Sequence, residues 1–467
     1  MSKEEEISSV GTYQTPSIPN ILSYSSASFW SMLLWTVFGS YVFYFYERVL
    51  GLDTVLVFLA MLIFTVWDAV NDPLIGFLTD RKFGITRKVG KRFPWIIIGV
   101  IPATFLFGLL FMPPTFDAKG NPLPVFGWLI LMTCLFDSLT TLCFVNIDSL
   151  FFDKFVTDEG RRKARGWGTP LSMIALPVAS ILPPFLIIFE RPATYAFMAW
   201  IFVAIAITVV IAFLPGMYEN KELRERYYIG EDRRENFYSE LKSSLKQKSF
   251  VTYLVLFFGF QVVISSLTAS IPYAVEFVLG GSETDMIFLF APFLNGAIVG
   301  VPIWIIIAKR VNNNKKMAVI GGIVLTLSTF ITTFYTGLID SMVYQANLGF
   351  MMANFWALMT IYFSDVLDER IVLTRSPVRG TAVGVQNFFS RLSRGAQIGI
   401  FALIHVLTGF KEGSDTQTTL AKLGIRFHMT LIPSIILAIC TIIFYLKHPL
   451  TSDIMLDIKK QLKELGF

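Results

Sequence analysis

The sequence is short of the residues on which soluble chemistry depends. Only 16% of its 467 residues are charged, and it holds three cysteines and three histidines. A soluble domain carries about 25% charged residues, so the deficit argues against a water-soluble enzyme. Cys134, Cys143 and Cys440 each lie in an apolar run, which implies neither a disulfide framework nor a zinc site. No phosphate loop, nucleophile elbow or metalloprotease spacing occurs, so neither catalysis nor ATP-driven transport is expected. The start, MSKEEEISSVGTYQTPSIPN, is polar and acidic. It lacks a basic-then-apolar signal, and no cleaved signal peptide is expected.

What the chain has is apolar length. Hydrophobic residues make up 54% and aromatics 15%, with a mean hydropathy of +0.61. Apolar runs of about 20 residues mark membrane-spanning helices. We read twelve, at 22–47, 54–79, 94–112, 125–152, 167–189, 193–214, 250–278, 284–308, 317–338, 342–367, 381–409 and 427–446. Lys and Arg favour cytoplasmic loops. The loops after the even-numbered helices hold Arg81, Lys82, Arg87 and Lys88, then Arg161, Arg162, Lys163 and Arg165, while the opposite loops hold few. Both termini are therefore predicted to be cytoplasmic, in a multi-pass protein of the plasma membrane. The division follows: a tail at 1–21, a six-helix bundle at 22–214, a charged cytoplasmic linker at 215–249, a second bundle at 250–447 and a cytoplasmic tail at 448–467 that reads as a short amphipathic helix. Weak internal symmetry across the linker suits a 6+6 transporter.

Against this background a few polar residues stand out. Asp68, Asn71 and Asp72 interrupt the second helix in WDAVNDP. Acids inside a bilayer are costly and point to a functional site. A spacing of four places both carboxylates on one helix face, about 18 Å from Asp80 at 1.5 Å per residue, near the midplane where transporter sites lie. Pro73 removes a helical donor and frees the carbonyl of Ala69. Hard oxygen ligands of this kind suit Na⁺, with Asp68 and Asp72 as its metal ligands. The competing reading is that the two acids pair with basic residues of other helices. The fourth helix adds Asp137 and Asn146, the tenth Trp356, and the eleventh Arg391 with Arg394 three residues on. Asn146, Arg391, Trp356 and Asp137 are the expected substrate ligands. Asp80, Arg81, Asp365, Asp368 and Arg375, at the cytoplasmic edge, are expected to form gating ion pairs between the halves. His405 and His428 read as isolated packing or surface residues.

The segment Trp67-Asp68-Ala-Val-Asn71-Asp72-Pro73-Leu-Ile-Gly76, with Gly90-Lys91-Arg92-Phe93-Pro94-Trp95, resembles the glycoside–pentoside–hexuronide:cation symporters of the major facilitator superfamily. Asn146-Ile147 and Asp365-Val-Leu-Asp368 are similar as well. The resemblance implies an all-α fold of twelve helices in two six-helix halves. It also implies binding of the coupling Na⁺, Li⁺ or H⁺ at Asp68, Asn71 and Asp72, with no other cofactor. The chain departs from the family pattern where Arg391 replaces a lysine, Asn146 an aspartate and Leu150 a tryptophan. The expected function is cation-coupled symport of a small solute, sugar- or glycoside-like, by alternating access. The alternatives are a Na⁺-coupled carrier of a lysolipid-like amphiphile, as in the sodium-dependent lysophospholipid symporters of the same branch, and a proton-coupled carrier. The expected partners are a small-molecule substrate, a coupling cation and the lipid bilayer, with no nucleic acid, and the protein is expected to be a monomer.

Overall fold

The computed structural model describes residues 16–79, 89–115, 117–155, 158–220, 223, 245–374 and 380–464. Every regular element among them is helical. The N-terminal half comprises α1 (Ile18–Val49), α2 (Thr54–Thr79), α3 (Phe93–Leu110), α4 (Pro122–Lys154), α5 (Asp158–Ile181) and α6 (Pro192–Met217). The C-terminal half comprises α7 (Lys248–Leu279), α8 (Ile287–Val311), α9 (Asn314–Thr332), α10 (Leu338–Thr374), α11 (Gly380–Thr408) and α12 (Thr419–Lys447). A short α13 (Ser452–Glu464) follows. Among the described residues, eleven of these helices are long and apolar enough to cross a membrane. The twelfth, α11, is diluted by Gln386, Asn387, Ser390, Arg391, Ser393 and Arg394. Its two arginines mark one face of α11 as turned toward other helices, while Phe388, Leu392, Leu403 and Leu407 on the same helix are exposed.

Local chemistry starts the helices. The Asp53 carboxylate accepts the backbone N–H groups of Val55 and Leu56 at the head of α2. Asn313 and Thr418 do the same at α9 and α12, and α4 and α6 open on proline, which fits the first turn because its missing donor is not needed there. At α3 the cap comes from elsewhere. The fully buried Glu219, just beyond α6, accepts the N–H groups of Lys91, Arg92 and Phe93 at 2.8, 2.6 and 2.9 Å. Gly90 sits against that carboxylate at φ +123°, where a side chain would meet both strain and the Glu219 oxygens.

The elements differ from the sequence expectation mainly at their ends. The helix expected at 167–189 begins nine residues earlier, since the basic stretch before it is itself helical, and is interrupted before Pro183. The helix expected at 342–367 extends to Leu338–Thr374. In the tail, α13 buries Met455, Ile458 and Leu462 on one stripe, and it packs on α10. Most of the stretch expected as a linker lies outside the described residues.

Tight crossings hold each half together. A Cβ on Gly349 would stand 1.9 Å from the Phe293 carbonyl oxygen, and one on Gly296 2.0 Å from that of Ala346, so α8 and α10 touch backbone to backbone. Small residues at such crossings replace the hydrophobic drive that lipid removes. The halves meet along α1 with α7 and α2 with α11. They also meet at the end of the bundle remote from both termini, hereafter the distal end. There Arg48 pairs with Glu276 and Asp415, and Tyr44 donates to Glu276. Glu283 accepts the N–H of Phe189, and Lys119 reaches the Gly413 carbonyl.

Candidate functional site

The site is built where α2, α4 and α11 converge. Asp68, Asn71 and Asp72 lie on one face of α2, as a spacing of three and four residues dictates. Asp137 faces them from α4, and Asn71 donates its amide to the Asp137 carboxylate at 3.0 Å. Thr141, one turn further along α4, donates to Asp72 at 3.0 Å. Trp67 ties the same two helices by donating to the Ser138 hydroxyl at 2.9 Å.

The third helix brings positive charge. Arg391 Nε lies 3.0 Å from Asp68 Oδ1, and its terminal nitrogen lies 2.5 Å from Asp72 Oδ2. Another of its nitrogens donates to the Asp68 backbone carbonyl at 3.1 Å. Arg394 stands 3.6 Å from the other Asp68 oxygen and lies over the Trp35 ring at 4.9 Å, a cation–π seat contributed by α1. α11 approaches α2 closely because Gly395 has no side chain: a Cβ there would lie 2.9 Å from the Thr65 methyl. Asp68 is 3% exposed and Asp72 30%, so one acid is sealed and the other is accessible. A charge buried this way persists only when paired, because desolvation exceeds several kcal/mol per ion.

Six of the residues singled out from the sequence therefore meet: Asp68, Asn71, Asp72, Asp137, Arg391 and Arg394. Among the described residues, no three Asp, Glu, His or Cys side chains converge as a metal cage by themselves; the α2 acids meet at a guanidinium.

The remaining site residues make other contacts. Asn146 is fully buried; its amide donates to the Leu142 carbonyl at 2.8 Å, and its oxygen accepts from Arg92 at 3.4 Å. Trp356 stacks edge-on against Phe293 within the C-terminal half. Asp365 is buried and takes its hydrogen bond from Asn314 at 2.6 Å, a partner from its own half rather than the opposite one. Asp368 follows one turn later on α10. Asp80, Arg81 and Arg375 lie outside the described residues.

The histidines correct the sequence reading. His405 and His428 are buried and in contact with each other, Nε2 to Nε2, at 3.1 Å. Their pairing brings α11 against α12, and sequence offered only the scarcity of histidine as a signal. Glu47, which contacts His405, was likewise missed, because an acid at a helix end normally reads as solvated.

Comparison with known proteins bears on this architecture. Residues 23–452 match the model of the family described as MFS/sugar transport protein. The chain belongs to that family. It is therefore a multi-pass membrane transporter and not an enzyme. Among the relatives of this MFS member, the sodium-dependent lysophosphatidylcholine symporter 1-A of Danio rerio is 21% identical, covering 81% of this chain and 76% of its own. The uncharacterized symporter YjmB of Bacillus subtilis is 23% identical, covering 96% of each chain. A bacterial homolog of the human lysosomal transporter Spinster, in an inward-facing and unoccupied conformation, shares the fold with a TM-score of 0.64. It is 15% identical and covers 94% of this chain and 97% of its own.

Proposed function

We propose that this MFS transporter couples Na⁺ entry to uptake of a small solute through the α2–α4–α11 site. One observation carries the reading. Among the described residues, Asp68, Asp72 and Asp137 face two guanidiniums, those of Arg391 and Arg394. With all five ionised, one negative charge is left over, which is the deficit that one monovalent cation balances. The nearby neutral donors, the Asn71 amide oxygen and the Thr141 hydroxyl, are hard oxygens suited to Na⁺. Asp68, Asn71 and Asp72 are the cation ligands in this reading. Arg391 is the tethered charge that Na⁺ displaces from Asp72.

Displacement gives the coupling. A released Arg391 turns its fork toward the substrate, and its planar donors match a carboxylate, a phosphate or vicinal hydroxyl oxygens. Na⁺ then tightens substrate and substrate tightens Na⁺ by the same factor. Asp137 assists by holding Asn71. Asn146 and Trp356 would meet substrate only in a different conformation. Basic loops on the side of the termini favour cytoplasmic termini in the plasma membrane, which makes the distal end extracellular. The division of the chain at 215–249 gives the two halves that rock about the site.

The family description supports a sugar- or glycoside-like solute. A second reading, a lysolipid-like amphiphile, is favoured by the extent of the match to the lysophosphatidylcholine symporter. A proton on Asp137 would balance the site as Na⁺ does, which is the proton-coupled variant. The deciding experiment is a thermal-shift titration of the purified protein with NaCl against choline chloride, then with sugars, uronates and lysolipids. Na⁺-specific stabilisation that disappears in Asp72→Asn is the expected result. Equal shifts in both salts would overturn Na⁺ coupling.

A further inference from the structure

The distal end holds a second buried polar array that the coupling site does not use. Glu47 of α1, Tyr273 of α7, His405 of α11 and His428 of α12 are all fully or almost fully buried, and together they span both halves. Glu47 Oε1 lies 2.8 Å from His405 Nδ1, and Glu47 Oε2 accepts the Tyr273 hydroxyl at 2.5 Å. His405 Nε2 lies 3.1 Å from His428 Nε2, whose Nδ1 lies 2.9 Å from the Ser270 hydroxyl. Thr54 Oγ1 stands between two carboxylates, 2.7 Å from Glu47 and 2.6 Å from Glu412. The flanking charges are Arg48, paired with Glu276 and Asp415, and the Tyr44 phenol donates to Glu276.

The hydrogens of this chain can be counted. The Ser270 hydroxyl donates to the Ser266 carbonyl at 2.6 Å, and it has one hydrogen. Toward His428 it can therefore only accept, so His428 Nδ1 bears a hydrogen and, in a neutral ring, Nε2 is the acceptor. His405 Nε2 must then be the donor between the two rings. That leaves His405 Nδ1 facing a carboxylate oxygen, and the contact needs one more hydrogen. It sits on Nδ1, making an imidazolium beside a carboxylate, or on Glu47, making a carboxylic acid beside a neutral ring. Either way the pair holds one proton more than a neutral histidine and an ionised glutamate. Thr54 sharpens the deficit, because its single hydroxyl hydrogen cannot serve both Glu47 and Glu412.

We propose that the Glu47–His405 pair is a proton-binding site that latches the two halves together at the distal end. The closed interface requires the proton, because without it the hydrogen-bonded chain is one hydrogen short in a place water does not reach. Separation of the halves admits water, the proton leaves to solvent from the distal side, and Glu47 is left as a hydrated carboxylate on one half and His405 as a neutral ring on the other. Opening and proton release are then linked. When the open state binds one proton fewer, the open-to-closed ratio rises up to tenfold per pH unit.

The test uses the full chain in lipid nanodiscs, free of Na⁺ and substrate, with Cys134, Cys143 and Cys440 replaced by alanine. Spin labels at Asn121→Cys and Lys422→Cys, exposed positions on the two halves near the distal end, report the gap by electron–electron distance measurement from about pH 5 to about pH 9, a range that brackets ordinary histidine titration. The expected result is a long-distance population that grows with pH. Glu47→Gln, which keeps a hydrogen at the carboxyl position, is expected to stay closed at every pH. A wild-type distribution that ignores pH, or a Glu47→Gln protein that keeps the wild-type pH slope, overturns the proposal. If Glu47→Gln does not fold, ¹⁵N-histidine NMR of His448→Gln decides, since only His405 and His428 then remain. The expected signature in the closed state is a His405 ring that is either an imidazolium or a neutral ring with its hydrogen on Nε2. A neutral His405 with its hydrogen on Nδ1 across the range overturns the proposal. Asp72→Asn in the labelled background is expected to keep the pH slope while losing any Na⁺ response, so the latch and the coupling site fail or stand separately.

Discussion

Arg391 lies between Asp68 and Asp72 and bonds to both, at 3.0 and 2.5 Å. Two acids four residues apart on a helix are thereby held by one base from the other half of the molecule. The contact is at once a pair across the interface and a plug in the site proposed for Na⁺.

Substitution of that base separates the two roles. Arg391→Gln leaves the buried Asp68 with Arg394 as its remaining base among the described residues, and breaking a buried pair typically costs about 3–5 kcal/mol. In Na⁺-free buffer the variant should melt well below the wild type. Added Na⁺ should recover more stability than it confers on the wild type, because nothing tethered competes with it. A Na⁺-induced shift no larger than that of the wild type would show that Arg391 does not occupy the cation position. The melting temperature against NaCl concentration, at constant ionic strength, is the measurement.

The acids should differ in consequence. Asp68→Asn removes the sealed partner of two guanidiniums and should both destabilise the protein and abolish Na⁺ stimulation of uptake. Asp72→Asn, at the more exposed position, should abolish Na⁺ stimulation with a smaller loss of stability. Thermal shift and uptake in matched sodium and choline buffers check the pair, and Na⁺-dependent uptake unchanged in Asp68→Asn would remove the mechanism.

The α8–α10 crossing offers a test of the fold alone. Gly349→Val places a branched side chain where the Phe293 carbonyl stands 1.9 Å from the first carbon. Overpacking costs about 1–3 kcal/mol and more where backbone must move, so the variant should express poorly or melt far below wild type. Gly127→Val, where nothing lies within 4 Å of a Cβ, is the control that should behave as wild type.

Glu219 should matter more than its place at the start of a linker suggests. Glu219→Ala removes the acceptor of three backbone N–H groups at the head of α3, and an N-cap is worth about 0.5–2 kcal/mol. Hydrogen exchange at Lys91, Arg92 and Phe93 should rise in Glu219→Ala and rise less in Glu219→Gln. Exchange rates left as in the wild type would show that the cap is dispensable.

His448 gives a pH dependence with a definite sign. It is buried just beyond α12, in contact with the Thr252 hydroxyl at 2.8 Å. Burial, with Lys315 nearby, pushes its pKa down to about 3. In the unfolded chain it titrates near the ordinary 6.5. Between those values the unfolded state holds the extra proton, so His448 contributes stability above about pH 6.5, and that stability falls by about 1.4 kcal/mol per pH unit as the medium is acidified. His448→Gln should flatten this acid limb in a plot of melting temperature against pH, and an identical limb would assign the loss to other groups.

How much of this was legible in the chain varies residue by residue. Apolar length located the spans, since a bilayer demands about 20 residues of hydrocarbon per crossing. It erred at α5 and α10, whose charged ends continue as helix beyond the apolar run. Asp68, Asn71 and Asp72 announced themselves because a carboxylate in an apolar run has no inexpensive explanation. Their shared face followed from the helical repeat. Sequence by itself thus determined the class of the protein, the helices and which α2 face carries charge.

The partners were decided only in three dimensions. Nothing local says that Arg391, more than 300 residues away, stands between Asp68 and Asp72, or that Glu219 caps α3. His405 meeting His428 and Glu47 was equally hidden. A periodic pattern encodes which side of a helix avoids lipid, but not which neighbour it finds there. That choice belongs to the crossings, where a missing Cβ at Gly395 lets α11 come close enough to α2 for an arginine to reach both acids.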